Sequence, residues 1–574
     1  CRLSPEEIVV DRQTGSIERR GGGPPLLSDG QAVDLARLGE RIEAHWGRPQ
    51  DVEWAWAGGR FHILQSRPIT TPIRPRLTWA SPVPGARYTR GGVMELTPGP
   101  VSVLFETLGL PAIEQGIREY QARAGLGGAL RDWGFATING YVYARYSPRV
   151  GLAALLALPR LLRSAARAVD EWGEEALPAY RQTVDSLRGD PASLAAGELL
   201  QRMDALALAL GHYWAVVAAM IVQLDRTERR FTLLYGKLRR PGDPEPAVLL
   251  RGLESRPLEA ERALYASTVG DLEAYTARYG HALYDLDFAL PLAGEDRAAL
   301  ETMRRAWREG APSPEERQRR LAAEREAATG RVRERLGRWP RRLFDRALAA
   351  AQRAAQVRED ALFELGLAWR PLRRYAFELG RRLVRASALE RAEQVFWLRR
   401  DELATVVEGL ERRQRPMPSL AQEAEARRAM RDAARGARVP FTVPEGTRLG
   451  LLALGVPTAE ARRQAEGAVL TGVGASPGRV TAIARVIRGP QEFGRLGRGE
   501  ILVAHAATPA WTPLFVLAGG LVADLGGTLS HGSIVAREYG IPAVMGVGNA
   551  TERIRDGQRI AVDGTEGTVR LLEA

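Results

Sequence analysis

The sequence is nearly free of cysteine and lysine: among its 574 residues, Cys1 and Lys237 are the single examples. One cysteine cannot form an internal disulfide or a cysteine zinc cluster, so a disulfide-stapled secreted scaffold is excluded and a reducing cytoplasm is the expected compartment. Lys237 is the one lysine available for a Schiff base or a phosphate-binding loop, and its surroundings, YGKLRRPGD, match neither motif. We therefore expect neither of these chemistries.

Arginine carries nearly all of the positive charge. The 81 basic and 69 acidic residues leave a formal net charge of +12, yet both signs are interspersed in stretches such as EERQRRLAAEREAATGRVRERLGRWPRR (315–342). Interspersed charges are typical of a solvated helical face, so we do not expect nucleic-acid binding; a nucleic-acid or other anionic partner is the alternative. The composition, 45% hydrophobic and 26% charged, excludes wholesale disorder.

One apolar stretch, ALALALGHYWAVVAAMIVQL (205–224), has about the 20 residues that a membrane span needs. Asp204 and Asp225 flank it, and amphipathic helical sequence surrounds it. We therefore predict a buried helix, or one that lines an apolar pocket, rather than a membrane span. The sequence opens without Met and shows no signal peptide or lipidation motif, which indicates a piece of a longer protein.

The length predicts three or four domains, at about 100–200 residues each. Residues 1–72 combine β-branched runs with one amphipathic helix, and residues 72–92 are rich in Pro and Gly, as linkers are. A helical period dominates from about 93 to 440, which predicts a mainly helical domain at 73–440. Glycines and short Val and Ile runs predict a compact α/β domain at 468–574. The predicted fold class is multidomain α+β with a large, mainly helical middle.

The stretch GLVADLGGTLSHGSIVAREYGIPAVMG (520–546) places a histidine at the start of a helix. A strand is predicted to run into a double-glycine turn ending at Gly527, with Ser530 at the N-cap and His531 in the first turn. Free backbone NH groups and the helix dipole would stabilise a phosphate there, and Thr528 could donate its hydroxyl. The pattern indicates either a histidine that carries a phosphoryl group or an ordinary capping histidine.

The stretch GRPQDVEWAWAGGRFHILQSRPIT (47–70) predicts two strands with polar side chains on one side. Glu53 lies on the first strand, and Gln65 and Arg67, two apart on the second, share a face. A carboxylate, an amide and a guanidinium there would suit a Mg²⁺-bound polyphosphate, with Glu53 on the metal and Arg67 on the oxygens. The alternative is a solvated strand face.

The histidine motif GGTLSHGSIVAREYGIPAV resembles the phosphohistidine motif of the PEP-utilising enzymes. The similarity extends back through EILVAHAATPAWTPLF and GVGASPGRVTAIARVI to about residue 470. The resemblance implies a swivelling phosphohistidine domain in which His531 is phosphorylated. His505 departs from the family pattern, in which proline or another non-ionisable residue is usual; a loop histidine is the simplest interpretation of it.

Residues 47–70 resemble the C-terminal end of the family's ATP-grasp domain. The resemblance implies that Glu53 binds the metal and that Gln65 and Arg67 contact ATP. The family's nucleotide-binding lysine and glycine-rich loop would precede Cys1, so we do not expect this chain as given to make a complete ATP site.

The helical middle resembles the substrate domain of the rifampicin phosphotransferase branch of this family, above all at residues 357–403. Gln394 stands where the branch has an acid. Arg370 and Arg374 are four residues apart on one predicted helix face, so they are candidates to hold a phosphoryl group as it leaves His531. A solvated basic face is the alternative.

The resemblance implies an ATP-dependent dikinase-type phosphotransferase that uses ATP and Mg²⁺. The β-phosphoryl of ATP would pass through His531 to a hydroxyl of an organic acceptor, with release of AMP and phosphate. The histidine domain would swivel on linkers near 72–92 and 440–470. The sequence ends 43 residues after His531 without the family's phosphoenolpyruvate-binding barrel, which favours the rifampicin phosphotransferase branch and a role in antibiotic resistance.

Three alternatives to that function stay open. They are a pyruvate, water dikinase-like enzyme with another acceptor, a ligase-like relative that activates a carboxylate, and a phosphocarrier module. The apolar surface of 205–224 favours a bulky, greasy acceptor such as a rifamycin over pyruvate. The expected partners are ATP and a small acceptor, without nucleic acid or membrane, and the oligomeric state is open.

Overall fold

The protein divides into two compact units, residues 1–75 and 76–574. The computed structural model describes residues 7–11, 14–20, 26–46, 50–68, 77–91, 96–126, 133–146, 158–267, 272–412, 420–435, 437, 439–447, 468–527 and 530–572.

The first unit is rich in strands with one long helix, as predicted. Strands β1 (Glu7–Val10) and β2 (Ile17–Arg20) pair antiparallel, and helix α1 (Asp29–Trp46) follows. Strands β3 (Gln50–Ala57) and β4 (Arg60–Pro68) form an antiparallel hairpin. Its two-residue turn holds glycines at φ of 60° and 75°, the left-handed backbone that such a turn requires.

The second unit begins with a mainly helical region, as the helical period predicts. Its helices are α2 (Leu110–Arg123), α3 (Leu158–Glu171), α4 (Leu177–Ser186), α5 (Ala196–Leu238), α6 (Arg256–Ala266), α7 (Leu272–Tyr279), α8 (Arg297–Arg308), α9 (Pro314–Arg335), α10 (Arg338–Phe363), α11 (Trp369–Arg385), α12 (Arg400–Glu411) and α13 (Leu420–Ala434).

Helix α5 is the centre of this region. It is 43 residues long, and Leu206, Leu210, Tyr213 and Met220 are buried in the largest apolar core. Of the helices in the described part of the chain, α5 alone is long and apolar enough to cross a membrane, but half of its most apolar window is buried within the protein. Many apolar side chains of 205–224 therefore pack in the core, which agrees with the predicted buried helix. Their apolar surface is no longer an argument for an acceptor pocket along this helix.

A small antiparallel sheet joins the two ends of the helical region. Its strands, in the order β6-β7-β5-β8, are β5 (Arg87–Thr89), β6 (Gly134–Ile138), β7 (Tyr141–Tyr146) and β8 (Thr442–Val443). Tyr88 and Val443 are register partners, and both are buried. The Pro- and Gly-rich segment 72–92 is therefore not simply a linker, because part of it is a sheet strand.

The C-terminal region is an α/β structure on an eight-stranded sheet of order β10-β14-β13-β12-β11-β15-β16-β9, in which β11 to β14 are parallel. The strands are β9 (Val469–Thr471), β10 (Val473–Ser476), β11 (Arg479–Ile487), β12 (Ile501–Ala504), β13 (Gly520–Ala523), β14 (Ala543–Met545), β15 (Arg559–Asp563) and β16 (Thr568–Leu571). The helices are α14 (Thr512–Phe515), α15 (His531–Tyr539) and α16 (Ala550–Arg553). The central strand β13 is fully buried and leads directly into the loop before His531.

Candidate active site

The loop between β13 and α15 is held in shape by a glycine and two serines. Gly526 has φ +111°, and a Cβ at this position would lie 2.7 Å from Ser530 Oγ. Ser530 occupies the predicted N-cap position, but its side chain makes no cap bond; its hydroxyl instead donates to the Gly527 carbonyl at 3.0 Å. Ser533 donates to the same carbonyl. Two hydrogen bonds therefore connect the start of α15 to Gly527, and Thr528 lies outside the described residues.

His531 is the first residue of α15 and is 5% exposed. This end of the helix is buried because the helical region covers it. Nδ1 of His531 lies 2.8 Å from Glu359 Oε2 on α10. Within the described residues, His531 Nε2 and Glu359 Oε1 have no hydrogen-bond partner. Because the Glu359 carboxylate accepts a hydrogen bond from Nδ1–H, the neutral imidazole carries its lone pair on Nε2. Nε2 is also the nitrogen without a hydrogen-bond partner in the described structure.

Charged side chains of α5, α10 and α15 interact with one another in this part of the structure. Arg358, the neighbour of Glu359, lies 3.4 Å from Asp225. Arg537 of α15 donates from Nε to a backbone carbonyl at 2.6 Å and is 9% exposed. Burial raises the pKa of Glu228, and the positive charges of Arg537 and Arg358 oppose that rise. Arg358 and Arg537 therefore belong to one charged group with Asp225 and Glu228 of α5.

Further along α15, a second carboxylate docks the helix on the helical region. Glu538 Oε1 accepts a hydrogen bond from the Gly252 backbone NH at 2.7 Å. Burial raises the pKa of Glu538 to about 7, opposed by Arg317, Arg251 and Arg325. One contact between α15 and the helical region is thus made by a carboxyl group whose pKa is raised by burial.

A crevice lies beside this contact. Leu253, Pro257 and Leu258 line it from the helical region, Ile534 lines it from α15, and Glu359 lies at its edge. Apolar walls next to the partner of the histidine provide a surface on which the body of an organic molecule could pack.

The strand hairpin of the first unit brings the predicted polar residues together. Glu53 faces Gln65 across the hairpin and Asp51 faces Arg67. The Arg67 guanidinium lies 3.0 Å from each of the Glu53 and Asp51 carboxylates, and these side chains are about half exposed. Asp51, which the sequence analysis did not single out, completes the group.

The donor set of the hairpin suits Mg²⁺ bound together with phosphate oxygens. In the described residues no cluster of three or more candidate ligands exists. Mg²⁺ commonly uses one or two carboxylates and completes its shell with water and substrate phosphates. The two carboxylates of the hairpin, Asp51 and Glu53, match that requirement.

Two parts of the chain match known domains. Residues 496–567 match the mobile domain of PEP-utilising enzymes, and residues 5–76 match the AMP/ATP-binding domain of pyruvate phosphate dikinase. A rifampicin phosphotransferase of a Streptomyces species is 31% identical over 97% of this chain and 70% of its own length. The chain belongs to the rifampicin phosphotransferase family of PEP-utilising enzymes.

Other members of the family extend this similarity. The rifampicin phosphotransferase of Streptomyces sviceus is 28% identical over 96% of this chain and 69% of its own length. The uncharacterized phosphotransferase YvkC of Bacillus subtilis is 25% identical over 95% of this chain and 70% of its own. The protein is therefore a phosphotransferase, and its similarity to these relatives runs through the helical region as well as the two matched domains.

In this phosphotransferase, the structure does not bring Arg370 and Arg374 to the histidine. Arg370 donates to the Ala277 carbonyl at 2.5 Å, at the carboxyl end of α7, and Arg374 is exposed. Among the contacts of the described residues, neither reaches His531. Both belong to α11, which follows the end of α10 after a short 3₁₀ turn. The face of α11 that carries them contacts the end of α7 through Arg370 rather than the histidine.

Glu359 is a residue of the candidate site that the sequence analysis missed. It lies in VREDALFELG, whose charges look like those of any solvated helix in this arginine-rich chain. The sequence offers one signal, because Arg358 and Glu359 lie between the apolar residues Val357 and Ala361. The structure shows that these apolar residues are buried. His505, the other residue noted in the loops of this domain, lies with Nδ1 3.1 Å from the Asp524 carboxylate.

Proposed function

We propose that the protein is an ATP-dependent dikinase-type phosphotransferase that moves the β-phosphoryl group of ATP through His531 to a hydroxyl of a rifamycin-like acceptor. One observation carries the proposal: Glu359 holds Nδ1 of a buried histidine, and Nε2 is left without a partner in the described structure. A carboxylate-oriented imidazole with a free nitrogen is suited to covalent transfer.

The reaction then proceeds in three bond exchanges. Nε2 attacks the β-phosphorus of ATP, the bond between the α- and β-phosphoryl groups breaks, and AMP leaves. Water removes the γ-phosphate as orthophosphate. The acceptor oxygen attacks the remaining phosphoryl group, its proton goes to solvent, and the N–P bond breaks. While α15 is docked on α10, Glu359 keeps Nδ1 protonated, so the imidazole departs neutral when the phosphoryl group passes to the acceptor.

The ATP side of the reaction is assigned to the hairpin of the first unit. We take residues 1–72 as the end of an ATP-grasp domain, in which Gln65 and Arg67 contact ATP. Glu53, with Asp51 beside it, would hold Mg²⁺, which supplies positive charge to the phosphate oxygens when bound. Residues 468–574 form the phosphohistidine domain, which swivels between the ATP and acceptor sites, and the enzyme acts in the cytoplasm.

The acceptor is assigned from two kinds of support. Relatives that align over nearly the whole chain are rifampicin phosphotransferases. The crevice beside Glu359 is small, about 70 Å³, and its apolar side chains could contact part of a rifamycin. Phosphorylation of a rifamycin would give antibiotic resistance.

An acceptor screen tests this function. AMP release by the intact enzyme is measured with ATP and rifampicin, other macrocycles or pyruvate. We expect stimulation by rifampicin, formation of a phosphorylated rifampicin by mass spectrometry, and loss of both in His531→Ala. Stimulation by pyruvate alone would favour the pyruvate, water dikinase-like alternative and reject the rifamycin assignment.

A further inference from the structure

A cleft between the carboxyl end of α2 and helix α3 gathers four arginine side chains. Its volume is about 380 Å³, and it shares no lining residue with the histidine site. The arginines are Arg123 from α2 and Arg160, Arg163 and Arg167 from α3. The cleft is thus a separate, strongly basic feature of the helical region.

The convergence of these side chains follows from helix geometry. The three arginines of α3 are three and four residues apart, so they lie along one face of the helix. Arg123, in the last turn of α2, faces them from the other side. Tyr120 Oη and Ser164 Oγ, 2.9 Å apart, connect the two helices and add hydroxyl groups to the lining.

The positive charge of the cleft exceeds its negative charge, because four guanidinium groups line it together with one carboxylate, that of Glu171. None of the four guanidinium groups has a carboxylate within ion-pair distance there, and Arg163 makes only a 3.3 Å bond to a carbonyl of its own helix. Glu171 is the one acid among the described lining residues, and burial, opposed by Arg123, raises its pKa. Four like charges around one small cleft repel one another, so a bound anion would stabilise the arrangement.

We propose that this cleft binds a small molecule bearing two or more phosphate groups. A guanidinium matches a phosphate with two parallel hydrogen bonds, and four of them can hold two phosphates in this way. The volume admits a diphosphate or a nucleoside diphosphate and is too small for a nucleic-acid duplex. The site is independent of the histidine chemistry.

Isothermal titration of the 574-residue chain with pyrophosphate tests the proposal, with ADP and citrate as further probes. The test variant is Arg163→Gln/Arg167→Gln. The matched control is Arg342→Gln/Arg346→Gln, an equally spaced and exposed pair on α10 with the same loss of charge. We expect pyrophosphate affinity to fall at least about tenfold in the test variant, to stay within about twofold of wild type in the control, and to persist in His531→Ala.

Several outcomes would overturn the proposal. They are no binding of pyrophosphate by wild type at about millimolar concentration, equal losses in the two double variants, or loss of binding in His531→Ala. Citrate binding as tight as pyrophosphate would replace phosphate recognition by general anion binding. ADP and pyrophosphate of equal affinity support recognition of the phosphates alone. Tighter ADP binding that is lost in Arg163→Gln/Arg167→Gln identifies a nucleotide as the ligand of the cleft.

Discussion

Glu359 Oε2 on α10 lies 2.8 Å from Nδ1 of His531 at the start of α15. The helical region therefore supplies the group that orients the histidine of the C-terminal region. Both side chains are less than one-tenth exposed, so the contact exists only while α15 is docked on α10. In the proposed cycle, the docked arrangement is the one in which the phosphoryl group meets the acceptor.

Replacement of Glu359 by Gln should slow transfer from phosphorylated His531 to the acceptor. The amide can still accept Nδ1–H, but it lacks the negative charge that keeps this proton in place and stabilises the charged imidazole. We expect a fall on the order of 10²-fold or more, the scale of a positioned acid–base partner. Single-turnover transfer from the phosphorylated enzyme measures it.

The matched control for this change is Asp345→Asn on the same helix, where the carboxylate pairs with Arg333 instead. Its transfer rate should equal that of wild type. Equal rates for Glu359→Gln and Asp345→Asn would show that the contact with His531 is only structural.

Glu53→Gln and Arg67→Ala should each impair AMP formation and leave the second half-reaction unchanged. The two side chains form one ion-paired group on the hairpin, which we assign to Mg²⁺ and ATP phosphates. Loss of one such contact should reduce the rate of AMP formation by about 10–10³-fold. Arg60→Ala, an exposed change at the hairpin turn, is the control. A defect confined to transfer from phosphorylated His531 would refute the assignment.

Glu538 should make the protein less stable as the pH rises. Burial raises its pKa from 4.5 to about 7 in the folded state. Its contribution is therefore fully present below about pH 4.5 and is lost as the pH rises through 7, a change of about 3 kcal/mol at 1.36 kcal/mol per pKa unit. The measurement is the unfolding temperature between pH 5 and 8.

The comparison that isolates this effect is Glu538→Gln, which can still accept the Gly252 NH but does not titrate. Its unfolding temperature should fall less with pH than that of wild type. Glu334→Gln, at an exposed position of α9, should behave as wild type. Identical pH profiles for wild type and Glu538→Gln would contradict the role of this carboxyl group.

Gly211→Ala should destabilise the helical core. Gly211 of α5 packs against the backbone of α2, where an added Cβ would collide with the Ala112 carbonyl. Overpacking of this kind costs about 1–3 kcal/mol. Gly236→Ala, on the same helix with open space around it, should instead stabilise by up to about 1 kcal/mol. Urea unfolding midpoints measure both, and shifts of the same sign would be inconsistent with the close helix contact.

Local patterns predicted the elements around the site, and tertiary contacts decided the rest. The strand, glycine turn and helix around His531 follow from residues within one short stretch, as does the hairpin that carries Glu53 and Arg67. Glu359 lies 172 residues from its partner, and no periodicity links positions that far apart. The direction of Arg370 depends in the same way on α7, which packs near it, and helix spacing alone does not specify such a neighbour.

Because Tyr88 pairs with Val443, the chain enters and leaves the helical region at the same place. A segment whose two ends meet can change in length or be replaced without altering the separation of its attachment points. Evolution can therefore exchange this region as a unit. New acceptors could be acquired by exchanging the stretch between the two strands, while the machinery that charges the histidine is passed on intact.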